Sequence, residues 1–240
     1  MGTLGHLPVR RSLRLRVFVA KELEELKRAV DGGTRIISLS GLTSVSAKAY
    51  VLARLRAETR RRFAVVTESN GDIDTWSADL AFCASQISDL SFEITKLPSF
   101  ETDPYSGVSP HAETEERRAL SLWQIAKGDP EIIVLSARSL IQRTITPTQI
   151  TSLGAEIVRD EDFPPEQLID RLVAGGYVRE DPIFGPGQFS IRGGIVDVWS
   201  PNSDMPVRIE FFGDTVDSIR SFDPDTQLSV EQLKSAPLAP

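Results

Sequence analysis

Apolar and polar positions alternate most clearly towards the end of the chain. Three runs carry the pattern: residues 189–192, 195–199 and 207–212. The turn sequences Pro201-Asn202-Ser203 and Gly213-Asp214 punctuate them. Period-two alternation interrupted by turn residues predicts the strands of an antiparallel meander, with its apolar side facing a core.

The polar side of this meander carries Arg192, Arg208 and Phe212. Arg208 and Phe212 are four residues apart, so a strand presents both on one side, and alternation places Arg192 there too. Two arginines beside a phenylalanine favour a protein-binding surface, since Arg and aromatic residues supply most interface hot spots. The alternative is a solvated face with cross-strand pairs between arginines and carboxylates. Spacing alone favours that alternative, because single exposed phenylalanines are common.

The first part of the chain alternates between helical and extended patterns. After an arm expected to be mobile, helices are predicted at residues 21–30, 47–59, 73–86, 113–126 and 137–143, and strands at residues 35–39, 63–67, 92–95 and 132–135. Alternating elements of these lengths predict a parallel sheet with helices on its faces. Pro147 is expected to end this α/β unit.

A boundary is predicted at residues 146–152, and a smaller α+β unit follows. A strand at residues 157–159 precedes a helix that starts at Pro164-Pro165 with Asp162 as its cap. The strands of the meander begin at Tyr177. The predicted organisation is an arm (1–16), an α/β unit (17–147), an α+β unit (148–235) and the start of a further unit (236–240).

Composition excludes several classes of protein. The 240 residues are 40% hydrophobic and 25% charged, as in an ordinary globular protein, and no apolar run is long enough to span a bilayer. A formal charge of −7 argues against a chain that wraps nucleic acid. The single cysteine, Cys83, indicates a buried structural thiol and favours the cytoplasm. His6 and His111 are too far apart, and too isolated from cysteines, for a structural zinc site.

A candidate phosphate-binding loop lies between a predicted strand and a predicted helix. The pattern requires Gly, four residues, and then Gly-Lys-Ser/Thr. Gly41 is present, but Ser46, Ala47 and Lys48 stand at the last three positions. Without the second glycine, the lysine and the hydroxyl, the loop lacks the groups that hold phosphate and magnesium. The sequence therefore predicts the frame of a nucleotide loop without its chemistry, and no cofactor.

Three segments of the second unit carry a specific resemblance. They are Gly-Gln-Phe-Ser-Ile-Arg-Gly-Gly-Ile-Val-Asp-Val-Trp (187–199), Pro-Val-Arg-Ile-Glu-Phe-Phe-Gly-Asp (206–214) and Ile-Arg-Ser-Phe-Asp-Pro-Asp-Thr-Gln (219–227). Together they resemble the domain shared by the excinuclease subunit UvrB and the bacterial transcription-repair coupling factor family (Mfd), which docks onto the subunit UvrA. The family residues implicated in UvrA binding match Arg192, Arg208 and Phe212. With the resemblance included, the protein-binding interpretation is favoured for these three.

The resemblance extends over almost everything after residue 26. It implies a degenerate helicase-like (RecA-like) first domain, in which the coupling-factor copy has lost the nucleotide loop that UvrB keeps. Residues 98–110 are too short for the aromatic DNA-clamping hairpin of UvrB. In the family the first domain is completed by chain that follows the second, so the sequence is expected to be truncated.

The predicted function is a non-catalytic interaction module that recruits UvrA for nucleotide excision repair at stalled transcription, in the cytoplasm. The resemblance implies that a full-length relative is an ATP-dependent DNA translocase that also binds RNA polymerase, through domains absent here. Two alternatives stay open. One is a fragment of a UvrB-like ATP-dependent DNA helicase, and the other is a structural or autoinhibitory domain whose Arg/Phe face packs inside a longer chain.

Overall fold

The computed structural model describes residues 11–87, 92–103, 105–128 and 130–240, with the backbone alone for residues 11–20. A parallel three-stranded sheet comes first, followed by a six-stranded sheet and a two-stranded antiparallel pair. This confirms the α/β class, and the six-stranded sheet is antiparallel as predicted except for its edge strand Val178–Arg179, which runs parallel to its neighbour. The RecA-like assignment stays a prediction.

The helices are α1 (Arg11–Asp31), α2 (Val45–Thr59), α3 (Asn70–Ile87), α4 (Ala112–Lys127), α5 (Ala137–Ile141), α6 (Pro147–Leu153) and α7 (Pro165–Ala174). The strands are β1 (Phe63–Thr67), β2 (Ile94–Leu97), β3 (Ile132–Ser136), β4 (Ala155–Val158), β5 (Val178–Arg179), β6 (Gln188–Arg192), β7 (Ile195–Trp199), β8 (Val207–Phe212), β9 (Thr215–Phe222), β10 (Ser229–Gln232) and β11 (Ser235–Leu238).

The parallel sheet has the strand order β1-β3-β2, with the apolar strand β3 at its centre. Ile132 and Val134 are fully buried there. Helix α3 covers them with a stripe that includes Ile73 and Leu80, seven residues apart and therefore on one side of the helix. Continuous apolar sequence in β3 follows from this central position in the parallel sheet.

The predicted strand at residues 35–39 is wrong. These residues form no strand, and Ile36 and Leu39 are 83% and 55% exposed. In the described part of the chain no strand lies beside this segment to share backbone hydrogen bonds. A β-like composition without a pairing neighbour does not produce a strand.

Helix α6 occupies most of residues 146–152, where the boundary between the two units was predicted. The Thr146 side chain accepts a hydrogen bond from the Gln149 amide, and the Gln149 side chain accepts one from the Thr146 amide. Pro147 occupies the first helical turn, where its missing N–H costs nothing. The Thr-Pro-x-Gln signature of a capping box was therefore a start signal rather than an end signal.

Three further expectations differ from the structure. Helix α1 begins at Arg11, so the last residues of the predicted arm 1–16 are helical, while residues 1–10 lie outside the described residues. Asp162 does not cap α7; it accepts a hydrogen bond from Thr215 at 2.6 Å. Residues 236–240 do not stand apart from the second unit, because β11 pairs with β4 and the side chain of Leu238 is buried.

The six-stranded sheet has the order β10-β9-β8-β7-β6-β5, and it contains the predicted meander. One side of it packs against α7 through Leu168 and Leu172. Val196, Ile209 and Ile219 lie opposite them on three neighbouring strands and are at most 1% exposed. The inward side is therefore filled by alternate residues of the meander, which leaves the other side for polar groups.

A hydroxyl cluster ties the second unit to the last residues of the chain. The buried Tyr177 hydroxyl lies 2.9 Å from Ser200 Oγ and donates to the Ala239 carbonyl at 2.5 Å. Ser200 Oγ also accepts from the Ala239 amide at 2.9 Å. Burial raises the pKa of Tyr177 to about 12.

We expect Gly154→Ala to destabilise the protein. A Cβ at this position would lie 2.5 Å from Trp123 Nε1 and 2.9 Å from the Leu238 carbonyl oxygen. Overpacking of this kind costs about 1–3 kcal/mol, measurable by urea denaturation. The control is Gly185→Ala, where a Cβ meets nothing within 4 Å. Equal stabilities of the two variants would contradict the close packing.

Tyr177 also predicts a stability change at high pH. An unfolded tyrosine ionises near pH 10, below the pKa of folded Tyr177 near 12, so the unfolded state binds fewer protons between these values. The unfolding free energy should fall by about 3 kcal/mol as pH rises through this window. Tyr177→Phe, measured by denaturant titration at both pH values, should lack that part of the decrease. If the unfolding free energy of the wild type fell no more than that of the variant, the raised pKa of folded Tyr177 would be contradicted.

Candidate protein-binding face of the antiparallel sheet

Strand register brings the predicted site residues onto one side of the sheet. Asp197 on β7 stands directly opposite Ser190 on β6 and Arg208 on β8. Arg192 lies two residues beyond Ser190 and so shares its side, within diagonal reach of Asp197. On β8 the alternation continues from Arg208 to Phe212, because the extra residue of the bulge belongs to β9. The structure thus brings the two arginines together around a carboxylate.

The carboxylate of Asp197 is the centre of this arrangement, at 1% exposure. Arg208 donates to it at two points, from Nε to Oδ1 at 2.7 Å and from Nη2 to Oδ2 at 2.9 Å. Arg192 Nη2 donates to Oδ2 at 2.5 Å. Charge-assisted and bidentate contacts of this kind are among the strongest hydrogen bonds in proteins, and they compensate for burying the carboxylate.

Arg208 has additional partners. Its Nη2 donates to Gln227 Oε1 at 3.2 Å, and its guanidinium carbon lies 4.5 Å from the centroid of the buried Phe222 ring. The hydrogen bond to Asp197 raises the pKa of Arg208. These contacts leave the Arg208 side chain only 17% exposed.

Phe212 differs from both arginines because nothing covers it. It ends β8 beside Gly213, whose φ of 62° allows the tight turn into β9, and it is 84% exposed. Its backbone pairs with Thr215 in the β8–β9 ladder. The ring is therefore displayed to solvent at the end of an ordered hairpin.

A second ion pair extends the polar face. Glu210 accepts hydrogen bonds from Ser218 Oγ at 2.8 Å and from Arg220 Nη2, and Arg220 pairs with Arg208 across the β8–β9 ladder. The face thus carries three arginines against two carboxylates. The cross-strand pairs foreseen for a solvated face are present, although Asp197 is buried.

Sequence reasoning missed Asp197, although a signal was available. Within the apolar run 195–199 a lone carboxylate is out of place, because buried aspartates are almost always paired. Its register opposite Arg208 depends on the length of the β7–β8 turn. Gln227 lies 19 residues from Arg208 in the chain, and no short-range pattern connects them.

The predicted nucleotide loop, residues 41–48, lies at the start of helix α2. Gly41 has a φ of 86°, and Ser44 caps α2 by accepting from the Ala47 amide at 3.2 Å. Ser46 Oγ donates to Asp79 Oδ2 on α3 at 2.8 Å. A carboxylate at this helix N-terminus opposes the binding of phosphate, which the helix dipole would otherwise favour. Lys48 is exposed.

The described residues (11–87, 92–103, 105–128 and 130–240) lack the side-chain clusters of a metal site. Within these ranges no three His, Cys, Asp or Glu side chains come together in a way that would hold a metal ion. No helix there has the length and apolar character needed to cross a membrane. Cys83 is buried as predicted, and burial raises the pKa of its thiol.

Residues 156–240, which include the whole polar face, match the family described as the UvrB interaction domain. The second unit is thus similar to that domain along most of its length.

The relatives that match most of this chain are named transcription-repair-coupling factors. The protein of that name from Myxococcus xanthus is 38% identical over 81% of this chain, and that from Bacillus subtilis is 33% identical over 92%. The Escherichia coli protein is 26% identical over 61% of the chain. The chain spans 13–18% of the length of these relatives. The resemblance to the coupling factors that the motifs indicated is confirmed over most of the chain.

Calorimetric titration with ATP and Mg²⁺ tests the nucleotide loop. We expect no binding, because Ala47 replaces the phosphate-binding lysine and Asp79 holds Ser46. A dissociation constant below about 1 mM would contradict this expectation and favour the helicase alternative. Titration of an intact nucleotide-binding ATPase under the same conditions is the control.

Proposed function

We propose that this chain is a non-catalytic module of a transcription-repair coupling factor that recruits UvrA. The match of residues 156–240 to the UvrB interaction domain and the coupling-factor relatives support this proposal. The observation that carries it is the 84% exposed ring of Phe212 on the face where two arginines share Asp197. We assign the binding of DNA, the binding of RNA polymerase and the ATP-dependent motor activity to parts of a coupling factor outside the matched region.

The chemistry of the face determines the kind of surface it fits. Three arginines against two carboxylates leave an excess of positive charge, although the whole chain carries −7. A partner surface with carboxylates around an apolar recess would complement the charge and bury the ring. Arg and aromatic residues are the usual anchors of such interfaces.

The first unit supports the non-catalytic part of the proposal. The start of α2 presents Ser44 and Ser46, already hydrogen-bonded within the protein, where a nucleotide loop needs free backbone amides and a lysine. We infer that the first unit supports the second unit structurally, through the cluster formed by Trp123, Ile150 and Ala239.

Fluorescence anisotropy of the labelled chain against purified UvrA tests the proposal. Phe212→Ala should weaken binding about 30-fold, since removal of an aromatic anchor typically costs about 2 kcal/mol or more. The matched control is Phe82→Ala, which removes a ring that is 65% exposed on α3 and should change the dissociation constant less than about twofold.

Two results would count against recruitment through this face. One is equal affinity of the Phe212 and Phe82 variants. The other is the absence of binding by a folded wild-type chain, which would favour the structural or autoinhibitory alternative.

A further inference from the structure

Arg192 and Arg208 hold the same carboxylate, but their remaining hydrogen-bonding capacity is very different. A guanidinium carries five N–H donors. Arg208 makes four hydrogen bonds, two to Asp197 and two to Gln227. Arg192, in the described part of the chain, makes one, to Asp197. Most donors of Arg192 are thus available to another molecule, and those of Arg208 are not.

Exposure separates the two arginines in the same way. The side chain of Arg192 is 48% exposed, whereas that of Arg208 is 17% exposed and lies over the ring of Phe222. A group from another protein can reach the outer edge of Arg192 without moving any residue of the sheet. To reach Arg208 it would have to displace Gln227.

Exchanging partners at Arg208 would also be costly. If Arg208 turned to a carboxylate on another protein, Asp197 would keep a single hydrogen bond from Arg192 while remaining 1% exposed. A buried charge that loses its two-point partner is strongly destabilising. The Asp197–Arg208 pair is therefore expected to stay intact in any complex.

We propose that Arg208 is a positioning residue and that Arg192 and Phe212 make the direct contacts. The Asp197–Arg208 pair holds Arg192 in place through the second lone pair of Oδ2, and the proposal rests on the recruitment of UvrA by this face. Two arginines and one aspartate leave one net positive charge, located on the more exposed Arg192. The partner group that fits is a single carboxylate beside an apolar recess for Phe212.

A double-mutant cycle measured by anisotropy against UvrA tests this division of roles. Arg192→Ala and Arg208→Ala should each weaken binding about tenfold or more. The double variant should be no more than about twofold weaker than Arg192→Ala, because Arg208 acts only through Arg192. A loss close to the product of the two single losses would overturn the proposal, since it would mean that both arginines contact UvrA.

Asp197→Asn gives an independent test, because the two possible roles of Arg208 predict different changes in the affinity for UvrA. If Arg208 is a positioning residue, this variant weakens binding in the wild-type background and has no effect in the Arg192→Ala background. If Arg208 contacts UvrA itself, loss of the Asp197 charge frees it and binding is unchanged or tighter. Arg117→Ala, which removes an exposed, ion-paired arginine of α4, is the control for loss of charge.

Side-chain NMR of the free chain distinguishes the loss of Arg192 positioning from misfolding. It also distinguishes failure of the positioning role from failure of the proposed recruitment of UvrA. Rotation about the Nε–Cζ bond of Arg192 should be slow in the wild type and fast in Asp197→Asn. In the double variant Asp197→Leu/Arg208→Met, which replaces the buried pair with apolar side chains, it should also be fast in a folded protein. Equal mobility of Arg192 in all three proteins would overturn the positioning role even if UvrA binds. Slow rotation in a wild type that does not bind UvrA would refute the recruitment instead.

Discussion

The buried carboxylate of Asp197 is the constraint on which the polar face of the second sheet depends. A charge at 1% exposure is tolerated only when cations and hydrogen-bond donors surround it, and strand register supplies them from both neighbouring strands. Burying this aspartate on β7 therefore requires Arg208 on β8 and orders Arg192 at the end of β6. The positions of the two arginines follow from one electrostatic requirement inside the sheet.

The unit that contains this sheet is connected to the first unit through the last residues of the chain. Strand β11 pairs with β4, Tyr177 donates to the Ala239 carbonyl, and Ala239 packs in a cluster with Trp123 of α4. Gly154 lies at this junction, too close to Trp123 and Leu238 to carry a side chain. The two units thus meet where Trp123 of α4 packs beside Gly154 and Ala239, and their connection is packed structure rather than an extended linker.

The meander could be predicted from the sequence almost to the residue, because period-two alternation and turn residues are local signals that agree with the tertiary fold. Helices α2, α3 and α4 were recognisable for the same reason. The segment 35–39 was not, since its composition favours a strand but a strand needs a pairing neighbour. The identity of the site residues came from alternation and motif resemblance, while Asp197 and Gln227 depended on register and on a long-range contact. What the residues touch was therefore less predictable than which side they face.

Phe212 stands at the end of a strand that is already paired, beside a two-residue turn closed by Gly213. A ring presented this way has little backbone freedom to lose when it is buried, so ordering on association is confined to side chains, at roughly 0.5–1.5 kcal/mol for each one immobilised. Paratopes and inhibitor loops gain affinity by the same preorganisation. The consequence is an association that resembles docking of two rigid bodies, limited by orientation rather than by folding of the binding segment.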